Sequence, residues 1–171
     1  PLAQQARVLS GFIKGSSRPS LAAEGTRVYL SWEGLHLPAG PCPAVQDNNP
    51  APPEARSEIF LVRSENQGDQ FSDANDCVQS NFSNTAGNSN NPRISASGSF
   101  VYVAWMESTP GLAGMVFRKS KDGGSTFSTS SNIETGGSAA NPSIVASGDG
   151  TLLASWEDAT LGNLEIVFAR Q

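Results

Sequence analysis

Three acidic residues follow tryptophans at strand-like positions and could supply carboxylate chemistry. They are Glu33, Glu107 and Glu157, and the tryptophans before them are Trp32, Trp105 and Trp156. Two carboxylates flanking a glycosidic bond are what most glycoside hydrolases use, and an indole ring can stack on a sugar. Because the acids recur in every repeat, they equally fit a structural role at a strand end. The tryptophans equally fit packing between sheets.

Other kinds of chemistry have little support in the sequence. His36 is the one histidine, and it cannot form a zinc site if Cys42 and Cys77 are joined in a disulfide. The Asp- and Asn-rich stretches match no calcium loop, and there is no phosphate loop, dinucleotide fingerprint or nucleophile elbow. We therefore expect no metal site, no cofactor and no catalytic activity.

The composition favours a turn-rich, all-β, extracellular protein of one domain spanning residues 1–171. The chain has 17 glycines and 11 prolines, and charged residues make up 16% of it. The formal net charge is −5 and the Lys and Arg residues are scattered. Nucleic acid is therefore not an expected partner, since phosphate binding needs a clustered basic surface. No apolar run approaches the roughly 18 residues that a membrane span requires.

The elements that would position the acids come in three repeats. Each repeat has an X-Pro segment, a glycine-containing turn, an apolar strand ending in tryptophan (28–32, 101–105 and 152–156) and a further strand (59–64, 115–120 and 166–170). We assign repeat one to 18–90, repeat two to 91–140 and repeat three to 141–171. Repeat one carries loop insertions at 34–57 and 72–91. Repeats of several short strands are typical of β-propellers.

A turn motif in the second repeat identifies the type of propeller. It reads S-x-D-x-G-x-T-F, with Ser120, Asp122, Gly124, Thr126 and Phe127. The side-chain oxygens can bind nearby backbone amides, and glycine adopts positive φ. The motif resembles the Asp-box of the sialidase-like (BNR-repeat) β-propellers. The resemblance implies that the turn is structural and lies away from the ligand face.

The first repeat carries a degenerate copy of the same motif. Ser64, Asn66, Gly68 and Phe71 keep the pattern, but asparagine replaces aspartate and glutamine replaces threonine. We therefore expect a weaker turn in the first repeat.

The resemblance implies an all-β fold of three four-stranded antiparallel blades, which is half of a six-bladed propeller. The third repeat lacks a fourth strand after 166–170, whereas a strand-like segment lies at 6–13. We expect this segment to complete the last blade of a neighbouring copy. Two copies would then form a ring, and an offset pairing would form a filament. The assembly strands would use Val8, Leu9, Phe12, Ile13, Ile166 and Phe168. The alternative is two packed sheets with the N-terminal strand folded back on its own chain.

The resemblance also places both insertions of repeat one on one face, the ligand face of the family. Cys42 lies in one insertion and Cys77 in the other, so they form a disulfide there or remain two unrelated thiols. Asn81 begins an Asn-X-Ser sequence and is a candidate glycosylation site. On this ligand face we also place three tryptophans and three acids as candidate contacts: Trp32, Trp105, Trp156, Glu33, Glu107 and Glu157.

The resulting functional expectation is a secreted or cell-surface, non-catalytic protein. It would assemble with itself through its terminal strands and have a structural or adhesive role. A glycan-binding propeller module is the alternative, with glycans as a further partner. A sialidase-like glycoside hydrolase is the third option, and the arginine triad and Tyr–Glu pair of those enzymes do not carry over to this sequence.

Overall fold

The computed structural model of the chain describes residues 8–10, 13–36, 56–72, 81–135, 139–160 and 162–171. These residues form ten β-strands, and none of them belongs to a helix. It follows that a membrane-spanning helix is absent from the described ranges.

The strands form three antiparallel sheets in chain order. The first sheet contains β1 (Lys14–Glu24), β2 (Arg27–His36) and β3 (Arg56–Ser64). The second contains β4 (Ser89–Ser97), β5 (Phe100–Glu107), β6 (Gly114–Ser120) and β7 (Ser131–Thr135). The third contains β8 (Ala139–Ala146), β9 (Leu152–Asp158) and β10 (Glu165–Arg170). The first strands of the three sheets, β1, β4 and β8, lie side by side and are called the inner strands.

The prediction of an all-β protein built from three propeller-like antiparallel blades is confirmed. Some strand bounds differ from the prediction. The first inner strand begins at Lys14 rather than at 18, and the predicted insertion 34–57 narrows because β2 continues to His36 and β3 begins at Arg56. Four strands are described in the second sheet and three in each of the others.

Apolar side chains fill the two spaces between neighbouring sheets. One cluster joins the first and second sheets and includes Tyr29, Ile59, Val101, Val103, Trp105 and Val116. Another joins the second and third sheets and includes Tyr102, Met115, Ile144, Leu152, Ala154 and Trp156. Because side chains alternate along a strand, β5 contributes residues to both clusters. The tryptophans of β5 and β9, Trp105 and Trp156, face the preceding sheet. Full burial of one large apolar side chain contributes ~1.5–3 kcal/mol.

Two tyrosines form hydrogen bonds to the sheet that follows their own, at the end of the strands opposite to Glu107. The Tyr29 hydroxyl donates to the Gly123 carbonyl oxygen at 3.0 Å, and the Tyr102 hydroxyl donates to the Gly150 carbonyl oxygen at 2.5 Å. Both tyrosines lie three residues before the tryptophan of their strand, where the third repeat has Leu153. The third sheet therefore has no such hydroxyl to offer a further neighbour.

The N-terminal segment packs on its own first sheet. The Ile13 amide donates to the Ser10 carbonyl at 2.9 Å, so the chain turns where a straight strand over 6–13 was predicted. The Ile13 side chain contacts the cluster of Trp32, Phe60 and Val62. A Cβ at Gly34 would overlap the Cγ2 of Ile13, so the glycine makes room for this contact.

The predicted completion of the third sheet by the N-terminal strand is not observed in the described chain. Residues 8–10 are outside the strands, Val8 is exposed, Leu9 is half-buried, and Phe12 lies outside the described residues. Among the described strands, β10 lies at the edge of the third sheet, and its residues Ile166 and Phe168 are exposed. Ile13 would have to leave its own sheet to take part in an exchange with a neighbouring copy, and terminal strand exchange stays a prediction.

The Asp122 turn is closed by side-chain hydrogen bonds. The Ser120 hydroxyl donates to Asp122 Oδ1 at 2.8 Å and accepts the Gly124 amide at 2.8 Å. Asp122 also accepts the Thr126 hydroxyl at 2.6 Å and the Thr126 amide at 2.9 Å. These bonds from Thr126, together with that from Ser120, hold the pKa of Asp122 well below its usual range. Phe127 packs edge-on against Phe82, with ring centroids 4.8 Å apart.

The corresponding turn of the first repeat keeps three of these hydrogen bonds. The Ser64 hydroxyl donates to Asn66 Oδ1 and accepts the Gly68 amide, both at 2.9 Å, and the Gln70 amide donates to Asn66 Oδ1 at 2.9 Å. Gln70 carries no hydroxyl to replace that of Thr126. Phe71 packs against the apolar cluster of the first sheet. A weaker turn here stays a prediction.

Candidate functional site

Three residues with left-handed backbone conformation occupy the same place in the three inner strands. Arg18, Asn91 and Asn141 have φ values of 51°, 54° and 48°, and each precedes a proline. The register to the neighbouring strand shifts at each of these places. Positive φ strains a residue other than glycine, asparagine least, and a bulge redirects side chains. We call these three residues, together with Glu33 and Glu157, the inner-strand rim.

Two carboxylates hold the rim together. Glu33 Oε2 accepts hydrogen bonds from Arg18 Nη1 at 2.7 Å and from the backbone N–H of Asn91 at 3.2 Å. Glu33 therefore links the first sheet to the second. Glu157 Oε2 accepts Asn141 Nδ2 at 2.8 Å. Arg18 and Asn141 are exposed. The rim thus presents a guanidinium, an amide and carboxylates, which can hydrogen-bond a hydroxyl-rich ligand.

Glu107 is not the counterpart of Glu33 and Glu157. Those two directly follow their tryptophans, whereas Glu107 lies two residues after Trp105, and the matching position holds Met106. An offset of one residue turns a strand side chain to the opposite face of the sheet. Glu107 therefore lies on the side of Trp105, whose indole nitrogen donates to Oε2 at 3.0 Å. The predicted set of three equivalent acids is wrong for this reason.

Glu107 is a buried carboxylate with a full set of donors. Its Oε1 accepts the Ser108 amide and both the amide and hydroxyl of Thr109, at 2.7–3.0 Å. Its Oε2 accepts Trp105, Ser89 and Thr85 at 2.8–3.0 Å. Burial acts to raise the pKa of Glu107, but the bonds from Trp105, Thr109 and Ser89 outweigh it, so the pKa is lowered. Six donors leave this carboxylate poorly suited to proton transfer with a substrate.

A second buried carboxylate, Glu58, shares Thr85 with Glu107. The Thr85 amide donates to Glu58 Oε2 at 3.3 Å, while its hydroxyl donates to Glu107 at 3.0 Å. Glu58 also accepts the Ser83 hydroxyl at 2.5 Å and pairs with Arg56 at 2.7 Å. Burial raises the pKa of Glu58, and the hydrogen bonds from Ser83 and Arg56 oppose this only in part. The two acids hold the link between the first and second sheets in place.

The tryptophans do not line a ligand face. Trp32, Trp105 and Trp156 are 4%, 0% and 4% exposed, so none of them can stack on a sugar ring in this conformation. Trp105 and Trp156 pack against the preceding sheet, and Trp32 packs against Phe60 with ring centroids 5.8 Å apart. Their placement as ligand contacts is therefore corrected: Trp105 and Trp156 pack between sheets, and Trp32 packs on its own sheet.

The remaining candidate residues of the first repeat have different outcomes. Cys42 and Cys77 lie outside the described residues, so the disulfide stays a prediction. The side-chain nitrogen of Asn81 is buried, and the Ser83 hydroxyl of the same sequence donates to Glu58. Glycosylation of Asn81 stays a prediction.

Sequence reasoning missed most of the rim. Arg18, Asn91 and Asn141 are the residues before proline in the X-Pro segments of the three repeats, and this recurrence is the signal that could have found them. Glu58 recurs as Glu165 before Ile166, and Thr85 recurs as Thr135 six residues before Asn141, so the repeats carried a signal for both positions. Within the described ranges, no three His, Cys, Asp or Glu side chains are grouped as a metal site.

Comparison with known proteins shows the fold and not the family. No family model matches the chain, and no curated protein matches its sequence. The solved structures that it resembles include a β-1,2-mannobiose phosphorylase from Listeria innocua, at 14% identity and a TM-score of 0.57. The alignment covers 93% of this chain and 56% of that enzyme.

Two further solved structures have the same architecture. A family 117 glycoside hydrolase from Zobellia galactanivorans is 10% identical with a TM-score of 0.52, covering 97% of this chain and 54% of that one. The intramolecular trans-sialidase from Ruminococcus gnavus is 14% identical with a TM-score of 0.51, covering 90% and 51%. The chain thus has the fold of glycoside hydrolase and sialidase-like β-propellers and spans about half the length of these proteins.

Proposed function

We propose that this chain is a non-catalytic, propeller-type building block that associates with another copy of itself outside the cell, in a structural or adhesive role. The observation that carries the proposal is the exposed apolar face of the third sheet. Ile166 and Phe168 are 77% and 66% exposed, whereas the residues at the position of Ile166 in the other repeats, Ile59 and Met115, are both 0% exposed.

In the first and second sheets, the corresponding face is buried against the following sheet. Val145, from the inner strand, is also exposed on this side of the third sheet. Large contiguous apolar patches on soluble proteins usually mark a surface that binds another protein. Most of the Ile166 and Phe168 side chains is exposed in the described part of the chain, so a partner would remove them from water.

The mass of the purified chain tests this proposal. Light scattering or sedimentation over a wide concentration range is expected to give more than one chain per particle. Phe168→Asp should reduce the mass of the particle while the far-ultraviolet dichroism stays unchanged. A wild-type chain that remains monomeric at the highest concentration would remove the proposal.

A glycan-binding role is the second candidate, and the inner-strand rim favours it. Arg18 and Asn141 are exposed and are oriented by Glu33 and Glu157. The three solved structures described above are carbohydrate-active enzymes. A glycan array tests this role: Asn141→Ala should weaken any binding seen, and Arg170→Ala, at the far end of the third sheet, should not.

Glycoside hydrolysis ranks below both roles. Glu107 and Glu58 are buried and engaged by protein donors, and Glu33 is occupied by Arg18 and by the Asn91 amide. Turnover of a fluorogenic glycoside that Glu33→Gln abolishes would reverse this ranking.

A further inference from the structure

We infer that two copies of the chain pair through the same face of their third sheets, and that assembly stops at two. The inference rests on the self-association proposed above and names its geometry. The third-sheet face is formed by Val145, Leu153, Ile166 and Phe168, all on the side of the sheet opposite to Trp156. A surface that pairs with its own copy gives a closed two-fold dimer.

The third-sheet face would offer a further repeat of the same kind fewer hydrogen-bond donors than the other two sheets offer. Tyr29 and Tyr102 each donate to a backbone carbonyl of the following sheet. Leu153 stands at this position in the third repeat. The other two sheets offer such a carbonyl oxygen two donors, the tyrosine and a basic residue beside it (Arg63 or Lys119), whereas the third sheet would offer Arg170 alone. A second apolar face brings no such group.

At the opposite end of the chain, the N-terminal segment covers part of the Trp32 side of the first sheet. In head-to-tail stacking, the Trp32 side of a second copy would pack on the third-sheet face as Trp105 packs on the first sheet. Ile13 occupies that side and sits over Gly34, and Trp32 is buried although no preceding repeat is described. Head-to-tail growth would therefore have to displace the N-terminal segment. A ring or filament built in that way is disfavoured.

The charges on the third-sheet face suit a two-fold arrangement. Glu157 lies at one end of the face, paired in register with Ile166, and Arg170 lies at the other end, paired with Leu153. A two-fold axis between the faces and perpendicular to the strands brings Glu157 of one copy towards Arg170 of the second copy. Opposite charges then meet at both ends of the apolar contact.

Sedimentation of the wild-type chain and two matched variants tests the geometry. Phe168→Asp removes an exposed apolar residue from the third-sheet face. Leu21→Asp is the control, because Leu21 is equally exposed (65% against 66%) but lies on the Trp32 side of the first sheet. We expect a mass of two chains for the wild type and for Leu21→Asp, and one chain for Phe168→Asp. Ile166→Lys should repeat the loss if Phe168→Asp folds poorly.

Mixing the two variants separates the two geometries. Head-to-tail association requires both ends, so each variant alone would be impaired and a mixture would form a mixed dimer. Pairing through third-sheet faces predicts that mixing recruits no Phe168→Asp chain into dimers. Loss of association in Leu21→Asp, or a wild-type mass that grows beyond two chains, overturns this inference and leaves self-association standing. A wild-type monomer overturns both.

Discussion

The indole nitrogen of Trp105 lies 3.0 Å from Glu107 Oε2, whereas Trp32 has Gly34 in place of that carboxylate. The indole nitrogen of Trp32 has no hydrogen-bond partner in the described part of the chain. Ile13 fills the space that the missing side chain leaves. The same strand position therefore joins two sheets in the second repeat and accommodates the N-terminal Ile13 in the first.

Replacement of Glu107 by glutamine should destabilise the protein strongly. An amide offers one acceptor oxygen where the carboxylate offers two, so several of the six donors lose their partner. We expect the free energy of unfolding to fall by about 3 kcal/mol, since buried bonds to a charged group contribute ~1.5–3 kcal/mol each. Urea denaturation measures this. Glu157→Gln is the control and should cost less than ~1 kcal/mol; equal effects would show that the Glu107 network is not important for stability.

The same variant should change the response to acid. The folded pKa of Glu107 is lowered by its hydrogen bonds, so the stability it contributes is present above its ordinary value of 4.5 and is lost as the pH falls below that value. Glu107→Gln lacks this titration. The difference in unfolding free energy between wild type and variant should therefore shrink as the pH falls. A difference independent of pH would mean that Glu107 is not ionised in the native state.

Gly34→Ala should be unfavourable because of Ile13. The new Cβ would overlap the Ile13 side chain and approach the Phe60 ring, so Ile13 has to move. Overpacking of this kind costs ~1–3 kcal/mol. A double-mutant cycle with Ile13→Ala checks the cause, because the smaller side chain should recover part of the loss. Strictly additive effects would place Ile13 elsewhere in solution.

Tyr102→Phe should weaken the contact between the second and third sheets. The variant keeps the ring and removes the hydroxyl that donates to the Gly150 carbonyl, which Lys119 also binds at 2.7 Å. Because Lys119 still satisfies that carbonyl, we expect a loss of only about 1 kcal/mol. Thermal unfolding of Tyr102→Phe and of the double variant with Lys119→Met measures it. The double variant should lose more than the sum of the two single changes, and a purely additive result would contradict this account.

The sequence predicts the sheets well because their signal is local. Alternation of apolar residues and the recurrence of Trp32, Trp105 and Trp156 place the strands and indicate which side is buried. The rim could not be predicted in the same way, since the positive φ of Arg18 depends on a bulge that forms only when the strands pair. Nor does periodicity show which sheet a terminal segment covers. The fit of Ile13 over Gly34 depends on contacts between residues that pack only after the first sheet has formed.

Asp122→Asn tests whether the Asp122 turn needs its charge. The hydrogen bonds from Thr126 lower the pKa of Asp122, so the stability from the carboxylate is present above its ordinary value of 3.8 and is lost as the pH falls below that value. At neutral pH the variant should melt at a lower temperature than wild type, and the gap should narrow in acid. Asn66 is the natural control, because Asn66→Asp adds the carboxylate to a turn that has no matching threonine. Asn66→Asp alone should raise the melting temperature less than Asn66→Asp combined with Gln70→Thr. An equal rise would show that the threonine hydroxyl contributes nothing to these turns.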